Sequence, residues 1–186
     1  MSAFRRVVTG HNVAGQSVIA SDNVVHGLAL PGMPSIELNR LWGSDHVMHY
    51  PDDGSSPVYQ NWFAPIGGFR IAEFTIGPDA DAAPNHDDPD ASRRLMAEFP
   101  GLLEVMDPDV PGMHRSATID FIYILSGRVE LELDDGSKTE LKAGDLVVQS
   151  ATKHAWHNHW NEPCRMLGVL LGAHYQAPGG AKGARA

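Results

Sequence analysis

The sequence predicts an all-β protein: an antiparallel sandwich or barrel, with added N-terminal strands and one short helical, acidic insertion. Three observations lead there. Between residues 119 and 172, "IDFIYILSG", "RVELELDDG", "KTELKAGD", "LVVQSATKH", "AWHNHW" and "CRMLGVLLGA" follow one another as strand-length runs, punctuated by Ser-Gly, Asp-Asp-Gly and Ala-Gly-Asp. Within them, Val129, Leu131 and Leu133 alternate with Glu130, Glu132 and Asp134 ahead of an Asp-Asp-Gly turn, the pattern of a hairpin with one wet face. A helix signal arises only once along this reading, at about 90–99.

In chain order, "RRVVTG" and "QSVIAS" are β-rich and flank the turn-like "HNVAGQ". "SIELNRLW" (35–42) is an imperfect strand, and "GFRIAEFTIG" (68–77) a cleaner one. The Gly-, Pro-, Asp- and Ser-rich 43–62 between them reads as a long loop. Residues 1–77 are thus expected to supply strands that pack on the barrel. Residues 78–111 are acidic and proline-rich. They form an insertion, either a lid over the barrel mouth or a solvated excursion, with Asp90 or Ser92 as helix cap. Residues 112–175 are expected to form the barrel core of a single structural domain, and 176–186, "QAPGGAKGARA", a disordered tail.

Composition narrows the function classes. The 186 residues are 42% hydrophobic and 20% charged, with a formal net charge of −9 from 14 basic and 23 acidic side chains. That balance argues against nucleic acid, whose phosphates need clustered Lys and Arg. No apolar run is long enough to span a membrane. One cysteine, Cys164, rules out an internal disulfide and, with no signal-like start, gives a cytoplasmic expectation. No P-loop, dinucleotide glycine fingerprint or nucleophile elbow is present.

The chemistry concentrates in two stretches. In "PGMHRSATIDFIYILSG", His114, Ser116, Thr118 and Asp120 occupy even positions, so an extended chain puts all four on one face. That face needs an interior partner, and "GDLVVQSATKHAWHN" supplies one. There, His154, Trp156 and Asn158 share one parity, placing His154 inside with Trp156 as an aromatic wall. His157 and His159 share the other, at the rim or outside.

These two stretches resemble the paired motifs of the cupins, G(X)5HXH(X)3–4E(X)6G and G(X)5PXG(X)2H(X)3N. His114 falls on the first histidine, Ser116 on the second, Asp120 on the glutamate, and Gly127 follows six residues later. Gly144 opens the second motif, Gln149 takes the proline place one residue early, Ala151 the glycine place, and His154 and Asn158 fit H(X)3N. The resemblance covers about 110–172 and implies a small single-domain cupin-2 type antiparallel β-barrel of the jelly-roll kind.

It also implies a divalent metal, usually held by three histidines and a glutamate. Two of those four differ here, leaving His114, Asp120 and His154. Two imidazoles and a carboxylate are a facial-triad set, which does not by itself distinguish Fe, Zn, Mn or Ni. Asp120 is alternatively a general base, or a charge paired with Arg70. Arg70 interrupts an apolar strand and needs a partner or a carboxylate-bearing substrate. Ser116, Thr118, Trp156 and Tyr123 are the candidate pocket residues. His46, His49 and His86 are the reserve metal ligands.

Three functions remain open: a non-redox metal-assisted lyase (dehydration, decarboxylation or isomerisation of a small organic substrate), with Asp120 and Arg70 at the chemistry; an Fe(II) dioxygenase; and a non-catalytic small-molecule binding module. The β-rich N-terminus must bury its apolar face, and unpaired strand edges are a liability, so a homodimer is expected.

Overall fold

In the computed structural model, described for residues 3–81 and 90–177, eleven strands and one α-helix arrange as three antiparallel sheets. In chain order the strands are β1 Ala3–His11, β2 Ser17–His26, β3 Leu28–Leu30, β4 Met33–Ser44 and β5 Phe69–Ile76. After helix α1, Ala91–Glu98, come β6 Thr118–Ser126, β7 Arg128–Leu133, β8 Lys138–Lys142, β9 Leu146–Ser150, β10 His154–His157 and β11 Cys164–Gly172. The main sheet runs β3-β4-β5-β11-β6-β9. It faces the shorter β10-β7-β8, and β1-β2 stands apart as a hairpin. Each of the six runs read from 119 to 172 is a strand. Among the described residues no helix is long and apolar enough to cross a membrane.

The alternation of the sequence sets the inner face. Thr118, Asp120, Ile122 and Ile124 of β6 are buried, as are Cys164, Met166 and Leu170 of β11. Ile122, Ile124, Val129, Cys164 and Met166 make one core cluster. Leu30, Leu38, Trp62, Ala72, Leu95 and Phe99 make a second. Gly127, the last residue of the first motif, has φ of +75°, and a Cβ there would meet the Pro163 carbonyl oxygen at 2.4 Å. Only glycine fits this turn. Ala151, in the motif's glycine place, adopts φ of +51°, a left-handed backbone that glycine normally supplies.

Two expectations need adjustment. The barrel does not begin near 112: β5 pairs with β11 along its whole length, β4 pairs with β5 and β3 with β4, so three strands of the N-terminal segment build the main sheet itself. Of the N-terminal segment, only the β1–β2 hairpin sits outside it. There Arg6 lies over the Trp42 ring and donates to the Leu41 carbonyl. The described part of the insertion is no solvated excursion. Leu95 and Phe99 of its helical turn are buried in the second core cluster, and Phe99 meets Trp62 edge-on at 5.4 Å. Asp90 occupies the N-cap position without a side-chain capping bond and pairs with Arg93 instead.

Candidate active site

Backbone pairing explains why the two motifs meet. His114 N donates to His154 O at 2.8 Å, and His154 N returns the bond to His114 O at 2.9 Å. Such a doubly bonded antiparallel pair places both side chains on one face, and the imidazole centroids lie 4.1 Å apart. Along β6 and β9, Asp120 is the direct cross-strand partner of Gln149. Two short ladders therefore bring His114, His154, Asp120 and Gln149 onto one wall.

That wall closes a cavity of about 200 Å3. Apart from Ser116, the rest of its lining is apolar, with Leu30, Met33, Ile36 and Leu38 from the early strands, Trp62 and Phe63 from the long loop, and Phe74 and Ile76 from β5. Leu95, Leu102, Leu103 and Met106 come from the described part of the insertion. The insertion is fastened beyond the helix by Asp107 N donating to Met113 O, Arg115 N to Val105 O, and a Lys153–Asp107 ion pair. Truncating Phe99 to alanine is expected to cost about 3–5 kcal/mol by opening a void against Trp62. Chemical denaturation measures it, and a loss under about 1 kcal/mol would show that this segment closes nothing.

Burial sets the electrostatics. The Asp120 carboxyl is pushed up to about 6 by desolvation, which the Thr118 hydroxyl opposes in part. Its Oδ1 is buried with no hydrogen-bond partner. His154 is pushed down to about 3 by burial and then by neighbouring His114, and His114 is lowered by burial. Both imidazoles are therefore neutral at pH 7. His114 Nδ1 lies 3.0 Å from Gly112 O, and His154 Nδ1 lies 2.9 Å from Thr152 O. Each Nδ1 carries its proton to a carbonyl, leaving the Nε2 lone pairs unprotonated. The buried Ser116 and Thr118 hydroxyls bond each other at 2.6 Å. Gln149 Nε2 is buried without a partner.

The sequence-derived candidates fall out as follows. His114, Ser116, Asp120, His154 and Trp156 line the cavity, with Trp156 edge-on to His154 at 5.7 Å. Thr118 is buried beside Ser116. Tyr123 is 43% exposed on the opposite face of β6, as its odd position dictates, and is no pocket residue. Arg70 is not on the cavity wall. It pairs with Asp45, donates to the carbonyls of Ser44, Asn61, Phe63 and Phe69, and lies 4.2 Å from the Tyr59 ring centroid. Its charge has the partner the strand demanded, but that partner is neither Asp120 nor a substrate. His157 pairs with Glu132 and His159 with Glu130 and Asp79, outside as parity requires. Asn158 organises a loop, donating to Ile76 O and Glu162 O. His46 and His49 are exposed, and His86 lies outside the described residues. Cys164 is fully buried, its thiol pushed up to about 11.

The donors do not fit the three-ligand centre that the resemblance implies. Among the described residues no three His, Cys, Asp or Glu side chains gather so as to hold an ion. What gathers is a pair of imidazoles and a separate carboxyl whose Oδ1 has no partner. Gln149 was missed as a functional residue. In sequence it was only a substitution in the proline place, and its one signal was the parity it shares with a strand facing Asp120.

Comparison with known proteins agrees with this geometry at the level of fold. The cupin domain family model, Cupin_2, matches residues 102–170. The cupin-domain-containing oxidoreductase fogC of Aspergillus ruber is 34% identical over 174 residues, covering 92% of this chain and 73% of that protein. Oryzines biosynthesis cluster protein J of Aspergillus oryzae is 44% identical over 48 residues, 26% of this chain and 27% of the relative. The cupin-domain-containing oxidoreductase virC of Hypocrea virens is 39% identical over 62 residues, 32% of each. The match to these last two takes in under a third of their length. Among solved structures, the polyketide cyclase RemF of Streptomyces resistomycificus aligns with a TM-score of 0.42 and 17% identity over 82% of each chain.

Proposed function

The chain belongs to the cupin superfamily, of the Cupin_2 type, and from that premise we propose an enzyme that moves a proton on a small, largely apolar organic substrate in a non-redox reaction. The observation that supports this best is Asp120 Oδ1, a buried acceptor with no protein partner, on the wall of an apolar cavity. Leaving such a group unpaired costs about 1–3 kcal/mol. A carboxyl with its pKa near the working pH is suited to take a proton and give it back. Of the lyase-type reactions considered, isomerisation is the one that a single such group completes. The neutral imidazoles of His114 and His154 offer Nε2 acceptors that orient a substrate hydroxyl or a water beside it.

A second reading has its own support. Two of the relatives reported above are named oxidoreductases, so an Fe(II)-dependent dioxygenase is the competing proposal, although Asp120 and the two imidazoles do not gather into a three-ligand iron centre.

The deciding experiment follows solvent-deuterium incorporation into a panel of apolar carbonyl compounds by NMR, beside oxygen consumption with and without added Fe(II). Exchange that needs no oxygen and disappears in Asp120→Asn is the expected result. Iron-dependent oxygen uptake without exchange would establish the dioxygenase. Saturable binding with neither activity would establish a binding module.

A homodimer is proposed on a separate observation. Tyr123, Leu146, Val148 and Leu171 are exposed on the outer face of adjoining strands β11, β6 and β9, and Val7, Ile19 and Val24 are exposed on the hairpin. Light scattering at micromolar concentration should return twice the 20.1 kDa of one chain. A single-chain mass would overturn the proposal.

A further inference from the structure

Two buried polar atoms on the cavity wall have no partner in the protein, and they are of opposite kinds. Gln149 Nε2 is a donor and Asp120 Oδ1 an acceptor. Their residues are direct cross-strand neighbours on β9 and β6, which sets their side chains side by side on one face. Gln149 is 3% exposed and Asp120 6%, so water does not satisfy them from outside. Buried donors and acceptors left open together are expected to be completed by what binds there.

We propose that Gln149 and Asp120 jointly read an enolisable carbonyl, so that the substrate class is a ketone with an acidic α C–H on an apolar body of one or two rings. The amide N–H donates to the carbonyl oxygen, while the carboxylate faces the adjacent carbon. The size limit follows from the cavity of about 200 Å3, below the range of about 300–1,000 Å3 typical of drug-sized ligands. Choosing a carbonyl over an alcohol rests on the proton-transfer reading, since an alcohol of the same shape offers no acidic C–H. In the step itself the α C–H bond breaks as an O–H bond forms on Asp120. The electron pair moves to the carbonyl oxygen, where the Gln149 donor stabilises the developing charge. Asp120 then returns the proton to the same or a conjugated carbon. Gln149 is thus a specificity and positioning residue, and Asp120 the base.

The test uses three probes of one skeleton: 2-tetralone, 2-tetralol and tetralin. Affinity is read from quenching of the cavity tryptophans, Trp62 and Trp156, and base function from deuterium exchange at C1 of 2-tetralone in D2O. The wild type should bind 2-tetralone about tenfold tighter than tetralin, the worth of one buried hydrogen bond. Gln149→Met, which keeps the length and removes the donor, should abolish that preference and leave tetralin affinity unchanged. Gln149→Leu is the second variant if the first does not fold. Asp120→Asn should keep the ketone preference and lose the exchange. The inference is overturned if the wild type binds none of the probes, or ketone and hydrocarbon alike, if it binds 2-tetralol as tightly as 2-tetralone, or if the preference survives without Gln149. A Gln149-dependent preference without wild-type exchange upholds the carbonyl recognition and sinks the proton-transfer reading.

Discussion

Asp120→Asn should make the protein more stable at pH 8, by about 3 kcal/mol, while removing its activity. The wild-type carboxyl titrates at about 6 in the fold against 3.8 outside it. Each unit of that difference is worth about 1.4 kcal/mol. Because the folded pKa is raised, the native state holds the proton more tightly than the unfolded chain does. Below pH 4 both states are protonated, and burial of the group costs no ionisation energy. As pH rises from about 4 to 6 the unfolded chain ionises first and stability is lost, and above pH 6 the full cost is present. Asparagine is neutral throughout. Its advantage should therefore be largest at pH 8 and close to zero at pH 4, read from denaturation curves at the two values. For a chain of this size about 3 kcal/mol is roughly 6–12 °C in Tm. A variant no more stable than wild type at pH 8 would mean that the fold stabilises the carboxylate by more than the Thr118 hydroxyl supplies. The same titration predicts that wild-type turnover rises with pH through a midpoint near 6, as the base form appears. A flat profile from pH 5 to 8 would remove Asp120 from the proton-transfer step.

Arg70→Leu should be the most damaging single substitution away from the cavity, at about 3–5 kcal/mol, the range for removing one partner of a buried ion pair. The guanidinium is 3% exposed at residue level and serves Asp45 together with the carbonyls of Ser44, Asn61, Phe63 and Phe69. Its removal leaves a carboxylate and several carbonyls without donors. Two of those carbonyls, of Asn61 and Phe63, belong to the loop that carries Trp62 and Phe63 to the cavity wall, so loss of stability should come with loss of ligand binding. Arg70→Lys should recover little, because one ammonium cannot span the positions that the planar fork reaches. Thermal unfolding of both variants tests this. A lysine variant as stable as wild type would show that charge alone, and not the fork geometry, holds the loop.

The sequence was most informative where one structural period ran unbroken. In β6 and β7 buried and open side chains alternate, and the turns after β6, β7 and β8 each carry a glycine, so those strands were the most legible. The inward face of His114, Ser116 and Asp120 was legible for the same reason. The role of β4 and β5 was less so. Their alternation marked them as strands, but nothing local shows that β5 lies against β11, some ninety residues later, through pairs such as Ile71 with Val169. The three-residue β3 is too short to leave a pattern. In the insertion, Leu95, Phe99, Leu102 and Met106 are spread through acidic and proline-rich chain, and their common burial is a tertiary fact. Arg70 was rightly read as needing a partner. Asp45 supplies it from a loop 25 residues away, which no strand periodicity reveals. Gln149 went unnoticed because an orphaned donor is defined by what does not surround it.

The cavity divides its labour between two kinds of backbone. Its polar residues stand on or beside paired strands, held by the His114–His154 bridge and the β6–β9 ladder. Much of its apolar wall comes from the long loop at Trp62 and Phe63 and from the insertion at Leu95, Leu102 and Met106. For protein engineering this separates two problems that are usually entangled. A library confined to residues 62, 63, 95, 102 and 106 would vary which molecules fit while leaving His114, His154, Asp120 and Gln149 in register. The same partition would let the ligand change by drift in the wall alone, with the polar groups held where the paired strands put them.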